Sequence, residues 1–338
     1  METHLLFLGA GCSVPLGFPA TSQLASEFEE NTTNYYSTLF KAKHDIEING
    51  FNYDVENLLE YFQGFSNPRY YLTRKGSFAS SLCKTQPISK LNPDQYCLYL
   101  KNELEEHLIT KCFKEGPEIK KGFKVFYDRL FAKISGISDW KTSVPNWNNH
   151  TFEIFTTNFD NSLDTYAVES DTEYTRGFII NGNDEVCFNP ELFDRTAYGI
   201  KIIKIHGSVE FSKLEDGIII SKIPPTLPGN LHCDKKIESK VMVYGIEKIL
   251  TIEPYLELLL KLKKSLLSAT KCTVIGYSFR DEWVKTMFEE AVKEKTPENF
   301  SIDLIDPGAT KIKESLPKLK SFINAIDMPG QKYLELES

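Results

Sequence analysis

An apolar run that leads directly into a loop of small residues is the feature that most constrains the fold. The run Leu5–Leu8 is followed by Gly9, Ala10, Gly11 and Ser13. Glycine lets a backbone turn tightly, and it lets an anionic group such as a phosphate approach main-chain N–H groups. A loop of this kind, at the carboxyl end of a buried strand, is typical of doubly wound α/β folds that bind nucleotides.

The loop departs from the dinucleotide fingerprint, which needs a third glycine and an acidic residue at the end of a second strand. Val14 occupies the position of that glycine, and residues 22–30 follow a helical pattern instead of a strand pattern. The sequence also lacks a Gly-Lys-Ser/Thr motif. Two interpretations remain open at this point, a nucleotide-binding loop or only a tight turn from strand to helix.

Charge and composition limit the partners that this chain can have. The 338 residues carry a net charge of −8, which argues against broad electrostatic binding to nucleic acid. The seven cysteines form no Cys-x-x-Cys pair, so we expect no zinc site and reduced thiols in the cytoplasm. Neither a signal peptide nor a membrane span is expected, because no basic region precedes the first strand and no apolar stretch reaches about 18 residues.

Strand and helix patterns alternate along the chain. Strand patterns occur at Leu5–Leu8, Phe152–Phe155, Ile200–Ile205, Ile218–Ile220, Thr273–Ile275 and Ile302–Ile305. Helical periodicity occurs at 53–63, 94–112, 119–134 and 254–267, and again after Asp281. This alternation predicts an α/β fold with a doubly wound, mostly parallel, Rossmann-like sheet.

The interval between the first two strands is almost wholly helical in pattern. We therefore predict a large helical insertion at 22–135 and a core formed by 1–21 together with 150–338, all within one domain over 1–338. The polar segment 136–150 and the proline-containing segment 221–234 predict irregular loops.

Polar motifs follow the predicted strands at their carboxyl ends. They are the Gly9–Ser13 loop, Thr156–Asp160, His206-Gly207 and Gly276–Asp281, with Asp306 at the end of a further strand. Because the carboxyl ends of parallel strands meet at one edge of a sheet, these motifs are expected to converge on one crevice.

Each motif also has a purely structural interpretation. Asn158 and Asp160 could cap the helix that begins near Asn161, His206 could be a core histidine bonded to a carbonyl, and Asp281 could only cap the next helix. The combination favours a site, because capping does not require a histidine and an asparagine at the edge that also carries the small-residue loop.

In this order the motifs resemble the sirtuin-like superfamily, and more closely its prokaryotic defence branch than the protein deacetylases. The resemblance rests on Gly-Ala-Gly-x-Ser, Gly-x-Pro at Gly17–Pro19, Thr-Thr-Asn-x-Asp, His-Gly and Gly-Tyr-Ser, with an Asp-x-Glu helix at 54–56. It implies a sirtuin-type domain that binds NAD as its substrate.

The resemblance also implies roles for single residues. Asn158 would orient the ribose and a water molecule, and His206 would be the catalytic histidine. The first loop would hold the diphosphate and adenosine side, Pro19 and Asp160 would lie near the nicotinamide, and the Gly276 loop near the adenine ribose. The implied NAD-binding residues are Gly9, Ala10, Gly11, Ser13, Pro19, Thr157, Asp160, Gly276, Tyr277, Ser278 and Asp306.

The sequence departs from the deacetylases in two places. Only Cys233 and Cys272 follow the His-Gly motif, so the two zinc-binding cysteine pairs are missing and no metal is expected. Ala20 and Thr21 stand where the deacetylases carry Phe-Arg. These departures favour hydrolysis of NAD to nicotinamide and ADP-ribose over deacetylation, with His206 as the proton acceptor.

The defence branch implies an abortive-infection effector of bacterial antiphage defence that depletes NAD. Such an enzyme must stay inactive until it is triggered, which implies a homo-oligomer or a companion protein, either an ATPase or a nucleotide-sensing protein. The insertion and the leucine-rich helix at 254–267 are either contact faces or only cover the sheet. The alternatives are a non-catalytic NAD or ADP-ribose sensor, and a protein deacylase or ADP-ribosyltransferase.

Overall fold

A computed structural model describes residues 2–66, 95–136, 150–170, 173–180, 186–196, 199–214, 219–221, 237–242 and 255–336. Most of the two predicted irregular segments, 136–150 and 221–234, lies outside these ranges. Within them, every helix is too short or too polar to cross a lipid bilayer.

The larger sheet has seven described strands, all paired in parallel. They are β1 (Glu2–Leu8), β2 (His150–Thr156), β3 (Tyr174–Thr175), β6 (Gly199–Lys204), β10 (Lys271–Ile275), β11 (Ser301–Asp306) and β12 (Ile323–Asp327). Their spatial order is β12-β11-β10-β1-β2-β6-β3, so the chain extends the sheet to both sides of β1. Leu5–Leu8 are buried, as expected for a strand covered on both faces. The predicted doubly wound, mostly parallel sheet is confirmed.

The register aligns the ends of the central strands. Leu8 pairs with Thr156 on one side and with Ile275 on the other, Thr156 pairs with Lys204, and Ile275 pairs with Ile305. These five residues form one row across the sheet. The predicted motifs all follow this row, which places them at the same edge, next to the point where the strand order reverses.

A second, antiparallel sheet was not predicted from the sequence. Its described strands are β4 (Phe178–Ile180), β5 (Val186–Phe188), β7 (Gly207–Leu214), β8 (Ile219–Ser221) and β9 (Ile237–Met242), in the order β4-β5-β8-β7-β9. The strand expected at Ile218–Ile220 corresponds to β8 and belongs to this sheet. Strand β7 begins directly after His206, so the second sheet continues from the edge that carries the motifs.

The described helices include those predicted at 53–63, 94–112, 119–134 and 254–267 and after Asp281. They are α1 (Ala10–Ser13), α2 (Thr21–Asn31), α3 (Tyr36–Ile48), α4 (Val55–Ser66), α5 (Gln95–Cys112), α6 (Pro117–Ser135), α7 (Ser162–Glu169), α8 (Leu192–Arg195), α9 (Tyr255–Ser268), α10 (Glu282–Val292), α11 (Ala309–Glu314) and α12 (Gly330–Glu335). Helix α6 starts with proline in its first turn and ends at Gly136 in the left-handed conformation, two signals that favour these boundaries.

The chain divides into two compact units. One contains residues 1–18, 113–242 and 250–338, with both sheets, and the other contains 19–112 and 243–249, with helices α2 to α5. In the first unit, Phe123, Phe131 and other apolar residues of α6 pack into the core with Phe152 and Ile154 of β2. The predicted insertion at 22–135 includes α6, so its extent differs from that of the second unit, and the domain boundaries stay a prediction.

Candidate active site

The loop after β1 packs directly against the loop that begins at Gly276. Gly9 N–H donates to Ile275 O at 2.9 Å, and Gly11 N–H donates to Gly276 O at 3.0 Å. A Cβ on Gly9 would lie 2.4 Å from Gly276 O, and a Cβ on Gly276 would lie 2.3 Å from Cys12 N. Gly276 also has a φ of +64°, which favours glycine. Close approach of the two loops therefore requires glycine at positions 9 and 276.

This packing explains the need for glycine in the first loop differently from the sequence-based prediction. The sequence suggested that they leave N–H groups open to a phosphate, whereas the N–H groups of Gly9 and Gly11 donate to the carbonyl oxygens of Ile275 and Gly276. Helix α1 has only four residues and continues as a 3-10 turn at Val14–Leu16. Binding of the NAD diphosphate by Gly9, Ala10 and Gly11 stays a prediction.

Asn158 is held by the first loop. Its Nδ2 donates to Gly9 O at 3.0 Å and to Ser13 Oγ at 2.9 Å, and its main-chain N–H donates to Thr156 Oγ1 at 3.0 Å. The amide oxygen Oδ1 is buried and has no hydrogen-bond partner among the described residues. Because both amino protons are used, the amide presents a fixed acceptor to a hydroxyl group or a water molecule. The side chain binds the first loop rather than the N terminus of α7.

Asp160 joins the first loop to the start of α7. Ser13 Oγ donates to Asp160 Oδ2 at 2.7 Å, while Oδ1 accepts from the N–H of Ser162 at 3.0 Å and from its hydroxyl group. The hydroxyl groups of Ser162 and Tyr127 lie 2.7 Å apart, and Tyr127 donates because the Ser162 proton goes to Asp160. Asp160 thus does bond the N terminus of α7, as the capping interpretation predicts. Its contact with nicotinamide stays a prediction.

His206 is paired with a carboxylate. Its side chain is 4% exposed, and its Nε2 lies 2.7 Å from Asp281 Oδ2. The other oxygen of Asp281 accepts from the N–H groups of Trp283 at 2.9 Å and Val284 at 3.3 Å. Asp281 therefore caps α10, as one interpretation of the sequence predicts, and also binds the histidine. When this carboxylate is ionised, Nε2–H donates to it, which fixes the orientation of the imidazole.

The segment between Gly276 and Asp281 is strained. Phe279 has a φ of 57°, and it is the one non-glycine residue with positive φ in the described part of the chain. Its ring lies 5.0 Å from that of Tyr277 and 5.1 Å from that of Phe288, and this packing holds the backbone in place. A bulky residue in the left-handed region is uncommon and costs free energy. The strain is located two residues before the partner of His206.

Thr157, Ser278 and Asp306 are further predicted residues, and each lies at or after the end of a strand of the larger sheet. Thr157 N–H donates to Leu8 O at 3.3 Å, and Asp306 Oδ1 accepts from Gly308 N–H at 2.8 Å. Ser278 is half-buried in the strained segment. Pro19 is the first residue of the second unit. The roles of these residues in NAD binding stay predictions.

A network of four buried ionisable side chains adjoins the Asp160 loop, and the sequence pattern did not predict it. Arg176 binds Asp164 and Glu210, each at 2.7 Å, and Lys204 binds Asp164 at 2.6 Å. All four side chains are at most 3% exposed. The one available signal was Lys204 itself, a cation within an apolar strand.

Burial and charge act in opposite directions on the two carboxylates of this network. Burial acts to raise the pKa of Asp164, but Lys204 and Arg176 together hold that pKa below its usual value. Burial, followed by repulsion from Asp164, raises the pKa of Glu210 to about 7 despite both cations. Glu210 Oε1 has no hydrogen-bond partner among the residues that the structure describes, which agrees with a carboxylate that is hard to ionise.

A cavity of about 760 Å³ opens beside α6 and α7. Its lining includes Lys114, Lys121, Asn161 and Thr165 and contains none of the predicted site residues. Asn161, which follows Asp160 in the chain, lines this cavity, and its side chain exchanges hydrogen bonds with the main chain of Lys114 at 2.9 and 3.0 Å. The cavity is therefore not the predicted NAD crevice.

Cys12 and Cys272 are buried thiols. Burial raises the pKa of Cys12 and of Cys272, which keeps both protonated. Within the described ranges, no group of three or more His, Cys, Asp or Glu side chains is arranged to hold a metal ion.

A known protein family matches the part of the chain that contains most of the predicted motifs. Residues 153–318 match the family model described as the SIR2-like domain. The match includes Asn158, Asp160, His206 and Gly276, whereas the Gly9 loop precedes it. This stretch is thus similar to the SIR2-like domain.

Solved structures show similarity over nearly the whole chain. A Sir2 homologue in complex with NAD matches at 12% identity with a TM-score of 0.45, over 99% of this chain and 87% of that one. A variant of a Sir2 homologue in complex with ADP-ribose matches at 11% identity with a TM-score of 0.44, over 99% of this chain and 89% of that one. No curated protein matches the sequence.

Proposed function

We propose that this chain is an NAD glycohydrolase that cleaves the bond between nicotinamide and ribose, with Asn158 and His206 as its catalytic residues. The match to the SIR2-like domain supports NAD binding. The register of β1, β2, β6 and β10 supports one site, because it aligns the strand ends that carry the motifs.

The observation that carries the proposal is the buried amide oxygen of Asn158. Gly9 and Ser13 take both amino protons, so the oxygen has a fixed direction and no partner among the described residues. A buried acceptor left without a donor costs free energy. A ribose hydroxyl or the attacking water would supply that donor, which is the role that the sirtuin resemblance implies for this residue.

The pair His206–Asp281 supplies the base. Nicotinamide leaves as a neutral molecule while a water molecule adds to C1′ of the ribose, so the reaction releases one proton. His206 would accept that proton, and Asp281 would stabilise the imidazolium that forms. The products are nicotinamide and ADP-ribose, and no other reactant is needed.

One observation favours a second candidate, a sensor that binds NAD or ADP-ribose without turnover. His206 is almost fully buried and its Nε2 lies 2.7 Å from Asp281 Oδ2, an arrangement that also suits a purely structural histidine. In that case the amide of Asn158 would still bind the ribose, and ligand would stabilise the protein without any product.

The biological role that we propose is that of an effector in bacterial antiphage defence, which halts infected cells by consuming NAD. Control would come from a homo-oligomer or from a companion protein, either an ATPase or a nucleotide-sensing protein. Expression with the proteins encoded beside it, followed by measurement of cellular NAD during phage infection, tests this role. Unchanged NAD in infected cells would contradict it.

The enzymatic proposal is tested by incubating the purified chain with NAD and quantifying nicotinamide and ADP-ribose. We expect equal amounts of both products, and at least a hundredfold slower release with Asn158→Ala. Asn324→Ala is the matched control, because Asn324 lies near the amino end of β12 and donates to Asp303. Thermal stabilisation by NAD without product would favour the sensor, and consumption that requires an acylated peptide would favour a deacylase.

A further inference from the structure

Lys204 occupies an unusual position for a lysine. It is the last residue of β6, two residues before His206, and its side chain is 3% exposed. Its ammonium group has three protons, and three acceptors surround it: Asp160 O at 2.6 Å, Asp164 Oδ2 at 2.6 Å and Ser208 Oγ at 2.7 Å. The group is thus fully satisfied inside the protein.

The three acceptors belong to three different segments. Asp160 ends the loop that carries Asn158, Asp164 lies on α7, and Ser208 lies on β7 after His206. Ser208 continues the connection, because its hydroxyl donates to Phe159 O at 3.2 Å. The adjacent Val209 N–H donates to the same oxygen at 3.1 Å. Lys204 and Ser208 together join the loop of Asn158 to the loop of His206.

Stability alone gives a weak reason for this arrangement. A buried ion network seldom stabilises a fold more than apolar side chains of similar size would. Buried polar networks can, however, define one geometry, because any displacement leaves charges without partners. The network here has two cations and two carboxylates, and it lies against the loop whose position the reaction requires.

We propose that Lys204 is a positioning residue, whose contacts with Asp160, Asp164 and Ser208 fix the loop of Asn158 relative to the loop of His206. The inference rests on the proposed function, since it assigns a reason for the precise placement of the two catalytic side chains. Lys204 acts through these loops, and it is not itself expected to contact NAD.

Ser208→Ala is the decisive variant, because it removes one small hydroxyl and leaves every charge in place. Ser212→Ala is its matched control. Ser212 lies on the same strand and is also buried, yet its hydroxyl has no partner among the described residues. We expect Ser208→Ala to lower kcat at least tenfold with a change in KM below threefold, and Ser212→Ala to change neither.

Two substitutions of Lys204 separate charge from geometry. Lys204→Arg keeps the charge, but a planar guanidinium cannot donate in the three directions of an ammonium group. We expect Lys204→Arg and Lys204→Met both to lower kcat ten- to a hundredfold, since misplacement by about 1 Å can reduce a rate a hundredfold. If Lys204→Met fails to fold, the comparison of Ser208→Ala with Ser212→Ala decides.

Hydrogen exchange gives a measurement that does not depend on turnover. In Ser208→Ala, the amide of Val209 should exchange at least tenfold faster than in Ser212→Ala. Slower turnover together with faster exchange supports the proposal. A folded Ser208→Ala with the kcat of the control, or with a raised KM and an unchanged kcat, overturns it. If the wild type does not hydrolyse NAD, the proposed function fails, and unchanged exchange at Val209 would then overturn the positioning role separately.

Discussion

Replacement of Gly276 by alanine tests the contact between the two loops that form the first part of the site. The φ of +64° costs an alanine about 1–2 kcal/mol. Its Cβ would lie 2.3 Å from Cys12 N and 2.4 Å from Gly11 C, and these backbone atoms cannot rotate away. Overpacking of this kind costs about 1–3 kcal/mol. We therefore expect Gly276→Ala to lower the free energy of unfolding by roughly 2–5 kcal/mol.

The measurement is equilibrium unfolding in urea, with and without saturating NAD. Gly122→Ala is the control, because Gly122 lies within α6 and an added Cβ would have no atom within 4 Å. That variant should gain up to about 1 kcal/mol from helix propensity. In Gly276→Ala we also expect NAD to stabilise the protein less than in the wild type. A loss below about 1 kcal/mol, with unchanged stabilisation by NAD, would refute the steric reasoning.

Two further predictions concern Asp281 and Glu210. Asp281→Asn should keep the cap of α10, since asparagine caps as well as aspartate. It should slow nicotinamide release at least tenfold, because it removes the carboxylate partner of His206. A folded variant with the wild-type rate would contradict this pairing. Glu210 has a pKa of about 7 in the folded chain, above the ordinary 4.5, so its contribution to stability is greatest below pH 4.5 and declines as the pH rises to 7. The free energy of unfolding in urea should be lower at pH 8 than at pH 5 by an amount on the order of 3 kcal/mol in the wild type. Glu210→Gln should lack this decline. Equal pH dependence in both proteins would exclude the raised pKa of Glu210.

Local signals predicted most of the regular structure. Apolar runs identified the four central strands β1, β2, β10 and β11 together with β6, helical periodicity identified the long helices α4, α5, α6 and α9, and Pro117 and Gly136 agree with the ends of α6. The parallel sheet followed from the alternation of these elements. Strands β4 and β5 were missed because they have only three residues each, which is too short for a periodic pattern. Strand β8 was predicted as a strand, but its place in a separate antiparallel sheet was not.

The site was predictable in its location and less so in its contacts. Strand-end position alone brought Gly9, Asn158, His206 and Gly276 to one edge. The partner of His206 was visible only as a possible helix cap, because a capping aspartate and a histidine partner look the same in a sequence. The need for glycine at position 9 depends on the approach of a distant loop, which local sequence does not encode.

The central claim is that Asn158 and His206 act on the same NAD molecule in the same step. It is tested most directly by measuring nicotinamide release from NAD with Asn158→Ala, His206→Ala and the double variant. Residues that act as a unit show strongly non-additive losses. We predict that each single variant loses at least a hundredfold in rate and that the double variant is within tenfold of the slower single one. Wild-type turnover by either folded single variant, or losses that multiply fully in the double variant, would contradict a shared site.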